Sequence, residues 1–156
     1  MIYTSNPKLE YIQLKKKIDS KIKKILLSGN YILGSEVKTF EKNFSTYLGN
    51  KYSIGVSSGT DALILALKVL NIKKGDEIIT TSHTAFATIA AIVEVGGIPK
   101  FVDIKESDFT IDTSKISSLI NKKTKAIIAV HIYGNPNDMD DLIKISKKNK
   151  IYLIED

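Results

Sequence analysis

The most informative absences in this 156-residue chain are those of cysteine and arginine. Without cysteine there is no disulfide framework, no thiolate metal site and no cysteine nucleophile, as is usual in a reducing compartment. No apolar run reaches the roughly 18 residues of a membrane span, and residues 1–30 hold none long enough for a signal peptide. We therefore expect a cytoplasmic protein with no membrane partner and no bound metal.

The basic residues of the chain are all lysines, 23 of them, and they give a net charge of +6. Arginine is the side chain that makes bidentate contacts with guanine and phosphate, so its absence argues against nucleic-acid recognition. The densest lysine cluster, between Lys15 and Lys24, falls on the polar side of a helical pattern. We interpret this cluster as a solvated helix face and expect no nucleic-acid partner.

What is present is the composition of a globular protein, with 43% hydrophobic and 26% charged residues. No repeat, low-complexity tract or proline-rich linker indicates a domain boundary. The first fifty residues predict two amphipathic helices. One ends near Gly29, and the other runs from about Ser35 to just before Gly49.

From residue 52 onward, short β-branched runs alternate with helical patterns. We predict strands at 52–56, 77–81, 100–104, 125–130 and 151–154, and helices near 60–70, 84–95, 114–120 and 138–148. Such alternation is typical of an α/β fold, in which a mostly parallel sheet has helices on both faces. The helices near 62–70 and 85–95 are apolar almost all round, so we expect both to be deeply buried. The ligand crevice of such a sheet lies beyond the carboxyl ends of its strands.

The turn after the first predicted strand is a candidate anion site. It reads Ser57-Ser58-Gly59-Thr60-Asp61 and opens a helix. The first N–H groups of a helix lack internal partners and carry partial positive charge, so they stabilise a phosphate. The three hydroxyls add donors, and Gly59 removes a side chain that would hold the backbone away. An ordinary capped helix start explains the same residues equally well.

Familiar motifs give one weaker alternative. The stretch Gly55-Val-Ser-Ser-Gly59 is not a Rossmann fingerprint, and no lysine follows Gly59 to complete a P-loop. It does match the G-x-S-x-G nucleophile elbow of serine hydrolases, with Ser57 as nucleophile and Asp103 and His131 following in order. Against this, the serine follows only one predicted strand, and His131 ends a strand instead of lying on a late loop.

Short motifs along the whole chain fit one family in register. They are YILG at 31–34, FE at 40–41, SGTDAL at 58–63, LAL at 65–67, GDEII at 75–79, HT at 83–84, AT at 87–88, FVD at 101–103, TKAII at 124–128, VHIYG at 130–134 and IED at 154–156. Together they resemble the DegT/DnrJ/EryC1/StrS family of sugar aminotransferases. The resemblance implies the fold type I architecture of pyridoxal-phosphate enzymes, a homodimer, and transfer of an amino group, from glutamate, to a nucleotide-linked keto-sugar.

The resemblance also implies which residues bind pyridoxal 5'-phosphate. Asp156 matches the family acid that keeps the pyridine nitrogen protonated. Ser58, Gly59, Thr60 and Asp61 match the segment that holds the phosphate. We expect the Asp61 side chain to turn away from the phosphate, because two negative charges repel, while its N–H group contributes.

One departure from the family concerns the residue that stacks on the cofactor ring. Many members carry an aromatic residue where this sequence has Ala85. His83 is our candidate for that role, because it lies in a strand-end loop and we expect Phe86 to point into the core. His131 and Tyr133 are expected to shape the same crevice.

A second departure concerns the lysine that forms the internal Schiff base in the family, which lies beyond the position of Asp156. None of the 23 lysines matches it, so the resemblance implies a partial large domain over 1–156, with 1–50 as its helical segment and the C-terminal small domain absent. It predicts no catalytic residue in this chain and no activity of the chain alone. Two alternatives stay open: a non-catalytic cofactor-binding or regulatory fragment, and a dehydratase that works without the lysine.

Overall fold

The computed structural model describes residues 5–156 and divides the chain into two compact units, one ending at Gly55 and the other spanning Val56–Asp156. In the first unit, helix α1 covers Pro7–Ser28 and helix α2 covers Ser35–Leu48. Gly29 ends α1 with a φ of 69°, a left-handed conformation that glycine adopts without steric cost. Both predicted helices and their ends are confirmed.

The second unit contains a four-stranded parallel sheet with strand order β2-β1-β3-β4. Its elements, in chain order, are α3 (Gly59–Val69), β1 (Glu77–Thr81), α4 (Phe86–Glu94), β2 (Ile98–Val102), α5 (Thr113–Leu119), β3 (Thr124–Ala129), α6 (Met139–Asn149) and β4 (Tyr152–Glu155). A single 3₁₀ turn, Ile132–Gly134, follows β3. The predicted α/β class is confirmed.

Alternate strand residues pack into two separate cores. On one face, Ile78 and Ile128 join side chains from α3 and α4. On the other face, Ile79 and Ile127 join side chains from α5 and α6. This period-two alternation is what a sheet with helices on both faces requires.

Gly97 shows how closely α4 and the sheet approach each other. A Cβ atom at this position would lie 2.6 Å from Ile78 Cδ1 and 3.1 Å from the Ile92 carbonyl oxygen. A larger residue would have to move the tip of the Ile78 side chain and shift Ile92 by a few tenths of an ångström, so glycine suits the short connection from α4 into β2.

Two sequence predictions about strands need correction. Residues 52–56 do not form a strand; the Gly55 N–H donates to Glu41 Oε1 at 2.8 Å instead of entering a ladder. Strand β2 covers Ile98–Val102 and not the predicted 100–104, and Ile104 lies outside it in an antiparallel bridge with Ile111.

The expectation of deep burial for the two apolar helices is also wrong in part. Helix α3 buries Leu63 and Leu67, but its Val69 side chain is 83% exposed. Helix α4 buries Ala91 and Ile92, while Phe86 at its first position is 83% exposed. Each helix therefore packs only the face that it turns to the sheet and to its neighbouring helix.

Candidate functional site

The start of α3 is a tightly capped helix terminus. Ser58 is the N-cap, and its Oγ accepts the Asp61 N–H at 3.1 Å while donating to Asp61 Oδ2. Ser57 Oγ donates to the same carboxylate oxygen. These hydroxyl hydrogen bonds, from Ser57 first and then Ser58, hold the pKa of Asp61 below its usual value.

This cap changes the set of groups that can bind an anion. The Asp61 side chain turns back to the preceding serines, as expected, but its N–H is engaged by Ser58 and not free for a phosphate. The remaining donors are the N–H groups of Gly59 and Thr60, which lie on the first turn, and the Thr60 hydroxyl. A Cβ added at Gly59 would meet nothing within 4 Å, so this turn is open to a ligand.

Asp156 is anchored at the carboxyl end of β4 by its backbone and its side chain. Its N–H donates to the Ala129 carbonyl oxygen, and its own carbonyl oxygen accepts from the His131 N–H, both at 2.9 Å. Its Oδ2 atom accepts from the hydroxyl of Thr88, on α4, at 2.5 Å. The Thr88 side chain is fully buried, so this contact fixes the carboxylate from inside the protein.

His83 lies between two aromatic side chains in the loop after β1. Its ring centroid is 5.9 Å from that of Phe109 and 5.7 Å from that of Tyr133. Both aromatic residues have positive φ, 60° and 55°, which is uncommon for residues other than glycine. The His83 Nε2 atom is buried and has no hydrogen-bond partner within residues 5–156.

Of the two reasons for preferring His83 to Phe86, one is confirmed, since His83 lies in the loop after β1, and the other is wrong. Phe86 was expected to point into the core, yet its side chain, at the first position of α4, is largely exposed. What distinguishes His83 in the structure is its contact with Phe109 and Tyr133.

A buried asparagine that sequence reasoning missed holds the loop after β3. Asn137 is 5% exposed; its N–H donates to His131 Nδ1 at 3.1 Å, and its Oδ1 accepts the Ile111 N–H at 2.9 Å. Because Nδ1 accepts, the His131 proton lies on Nε2, which is 3.1 Å from Glu155 Oε2. The only sequence signal for this network is the turn-forming run Asn135-Pro136-Asn137.

A cavity of about 670 Å³ opens beside His83. Lys115 lines it and pairs with Asp103 at 3.0 Å and Asp112 at 3.6 Å. Hydrogen bonding to Asp103 is the main cause that raises the pKa of Lys115 above its usual value. A lysine held charged in this way is a poor nucleophile.

The three residues of the hydrolase alternative each have hydrogen-bond partners other than one another. Ser57 bonds to Asp61, Asp103 bonds to Lys115, and His131 bonds to Asn137 and Glu155. A nucleophile elbow also needs a strand before the serine, and residues 52–56 do not form one. The structure therefore gives the serine hydrolase reading no support.

Residues 5–156 contain neither a candidate metal site nor a membrane-spanning helix. This part of the chain holds no group of three or more histidine, aspartate or glutamate side chains that could bind a metal ion. None of its helices is long and apolar enough to cross a bilayer.

The predicted cofactor residues are linked through α4. Helix α3 packs on α4, His83 and Thr84 lead into α4, and Thr88 on α4 contacts Asp156. Helix α4 connects the parallel strands β1 and β2 and runs opposite to them, so its start lies at the same edge of the sheet as Asp156. The chemistry of these groups suits pyridoxal phosphate: N–H donors for its phosphate, a carboxylate for its nitrogen, and a histidine ring whose buried Nε2 has no hydrogen-bond partner within residues 5–156.

Comparisons with known proteins identify the family that this chain resembles. The model of the DegT/DnrJ/EryC1/StrS aminotransferase family matches residues 12–156. A dTDP-3-amino-3,6-dideoxy-alpha-D-galactopyranose transaminase of Aneurinibacillus thermoaerophilus is 42% identical over 145 residues, which are 93% of this chain and 40% of that protein.

Solved structures give the same result. The crystal structure of S. venezuelae DesV superposes with a TM-score of 0.94 at 37% identity, covering 96% of this chain and 40% of that one. An E. coli GDP-4-keto-6-deoxy-D-mannose-3-dehydratase with bound hydrated PLP has a TM-score of 0.80 at 35% identity, covering 86% and 36%. The chain thus spans about 40% of the length of the relatives that it matches, and it forms part of the fold of pyridoxal-phosphate aminotransferases.

A family model in register over nearly all of the chain, and relatives that share its fold, lead to one conclusion: this chain belongs to the DegT/DnrJ/EryC1/StrS aminotransferase family.

Proposed function

We propose that the chain forms the cofactor-binding part of an enzyme that transfers an amino group, from a donor such as glutamate, to a nucleotide-linked keto-sugar. The observation that carries this proposal is the Asp156 carboxylate, which is fixed through Oδ2 by Thr88 at a strand end within the same unit as the open start of α3. The transaminase relative supports the substrate class.

Each residue of the site has a definite task in this proposal. Bound pyridoxal phosphate supplies an electron sink while its pyridine nitrogen stays protonated. Asp156 Oδ1 would accept the hydrogen bond from that nitrogen and keep the proton there, because a facing carboxylate favours the charged form. The N–H groups of Gly59 and Thr60 would bind the phosphate, and the His83 ring would pack against the pyridine.

Asp61 opposes phosphate binding, and the cap limits its effect. Its carboxylate is in the first turn of α3 and its pKa is held low by Ser57 and Ser58, so it is charged at neutral pH. Both hydroxyls draw the charge back towards the turn that precedes the helix. The helix dipole and two free N–H groups act in the opposite direction, towards binding.

We propose that a polypeptide of residues 1–156 alone does not catalyse transamination. The lysine that lines the cavity beside His83, Lys115, is paired with Asp103 and Asp112 and has a raised pKa. A polypeptide of these residues should bind pyridoxal phosphate without a covalent bond, so borohydride should fix no cofactor to it. A borohydride-stable adduct, or product formed by this polypeptide, would contradict the proposal.

A dehydratase is the second candidate, and the likeness to the E. coli dehydratase favours it. Transamination and dehydration would use the same cofactor site, so the described residues are compatible with either reaction. The products differ: a transaminase gives an amino-sugar, whereas a 3-dehydratase removes a hydroxyl.

The test uses the intact protein as the organism makes it. We expect pyridoxal phosphate to bind with a visible absorbance band, and a mixture with glutamate and nucleotide-linked keto-sugars to give an amino-sugar by mass spectrometry. Asp156→Asn should weaken cofactor binding about tenfold or more, the effect of losing a hydrogen bond to a charged group. The matched control is Asp140→Asn, an exposed acid at the start of α6, which should bind as the wild type does.

Three results would contradict parts of the proposal. Absence of cofactor binding would overturn it altogether. A deoxygenated product without amino transfer would replace it by the dehydratase. We also propose a homodimer, and sedimentation of the intact protein as a single chain would refute that part.

A further inference from the structure

Two threonines of the α4 region form a hydroxyl chain that ends on Asp156. Thr84 Oγ1 lies 2.8 Å from Thr88 Oγ1, which lies 2.5 Å from Asp156 Oδ2. An ionised carboxylate can only accept, so Thr88 must donate to it. The single proton of Thr88 is then used, so Thr84 donates to Thr88.

We propose that Thr88, supported by Thr84, is a positioning residue that sets the orientation of the Asp156 carboxylate towards the pyridine nitrogen of the cofactor. This inference rests on the proposed function. The threonine is buried and anchored on a helix, so its hydroxyl fixes Oδ2 from the protein side. Fixing one oxygen fixes the plane of the carboxylate and leaves Oδ1 for the ligand.

The backbone of Asp156 cannot supply this orientation by itself. The ladder bonds to Ala129 and His131 hold its main chain but leave rotation about the side-chain torsions free. A charge-assisted hydrogen bond from a buried donor removes that freedom before the ligand arrives. The Asp156 side chain thus loses its conformational entropy when the protein folds and not when the ligand binds.

The chain offers a matched control at Thr80 in β1. Its side chain is fully buried like that of Thr88, but its hydroxyl has no hydrogen-bond partner within residues 5–156. Replacing either threonine by valine exchanges a hydroxyl for a methyl group of similar size. Only the change at Thr88 removes a contact with the carboxylate.

The experiment measures the protonation of the ring nitrogen directly. Pyridoxal phosphate labelled with ¹⁵N in the ring is bound to the intact protein, and the ¹⁵N chemical shift reports whether that nitrogen carries a proton. For Thr88→Val we expect a shift towards the unprotonated value and about tenfold weaker binding of pyridoxamine phosphate. Thr88→Ser should restore both properties, and Thr80→Val should leave both unchanged.

A second variant covers the case in which Thr88→Val does not fold. Thr84→Val removes the outer hydroxyl of the chain, and we expect the same two changes at a smaller size, about two- to threefold in affinity. Wild-type signals from both Thr88→Val and Thr84→Val would overturn the positioning role while leaving the proposed function intact. Failure of the wild-type protein to bind either cofactor form would overturn both.

Discussion

The two units of the chain use their apolar residues in opposite ways. Helices α1 and α2, in the unit that ends at Gly55, contain no buried residue, and the Ile32 side chain between them is 86% exposed. In the unit from Val56 onward, Ile92 and Ile127 are completely buried in the two cores. The contrast is not one of composition, because both units are rich in isoleucine and leucine.

The difference shows which interactions support each unit. Burial of apolar surface supports the second unit, at roughly 25 cal/mol for each Å² removed from water. The first unit relies on caps and on Glu36, which bridges Lys21 at 2.8 Å and Lys24 at 3.0 Å. Exposed ion pairs of this kind contribute little. The apolar faces of α1 and α2 have the pattern of buried helix faces, but within residues 5–156 nothing buries them.

Hydrogen exchange should show this contrast most strongly. In a polypeptide of residues 1–156, amides of β3 such as that of Ile127 should exchange at least about 10³-fold more slowly than those in the middle of α1. The physical reason is that helices without a packed face open locally, whereas a core strand opens only in global unfolding. Similar protection of the α1 and β3 amides would contradict the difference in stability between the two units.

A pair of truncations should separate the units by stability. Ile127→Ala should lower the free energy of unfolding by about 2–5 kcal/mol, because it leaves a cavity in a closed core. The matched variant Ile32→Ala removes the same atoms from an exposed position and should change it by no more than about 0.5 kcal/mol. Urea denaturation measures both values. Equal effects would mean that Ile32 is buried in solution.

The cap of α3 should have an intermediate effect. Ser58→Ala removes the acceptor of the Asp61 N–H and should cost about 1 kcal/mol in urea denaturation. Ser58→Asn keeps an acceptor at the N-cap and should recover most of that loss. If alanine and asparagine were equally tolerated, the hydrogen-bonded cap would not be present in solution.

The smallest expected effect is a pH dependence of the helicity of the first unit. Lys21, and then Lys24, hold the pKa of Glu36 below its usual value, so the folded group has a lower pKa than the unfolded one. Its contribution is fully present above the unfolded pKa, about 4.5, and is lost as the pH falls through the lower folded pKa. Circular dichroism should show the helicity of α1 and α2 decreasing below about pH 4.5.

Glu36→Gln should reduce that pH dependence, and added salt should reduce it in the wild type. An unchanged titration in the glutamine variant would show that the bridge between α1 and α2 does not form.

Local patterns predicted the elements that depend on local sequence. Strand β1 lies at the predicted residues, and both helices of the first unit end where glycines were expected to end them. Residues 52–56 have the composition of a strand, but a strand needs a neighbour, and composition does not report one.

The contacts that complete the site join distant parts of the chain. Thr88 and Asp156 are 68 residues apart, and nothing in either local sequence links them. The same holds for Phe109 and Tyr133, which enclose His83 from two different loops. The resemblance to a family indicated Asp156 and the turn at Gly59, whereas the residues that hold them in place became visible only in the structure.

The central claim is that the start of α3 and Asp156 bind opposite ends of one cofactor molecule. The most direct test is a crystal structure of the intact protein with pyridoxal phosphate bound. We expect the phosphate about 3 Å from the N–H groups of Gly59 and Thr60, and the pyridine nitrogen about 2.8 Å from Asp156 Oδ1. A cofactor that contacts only one of these groups, or neither, would contradict the account.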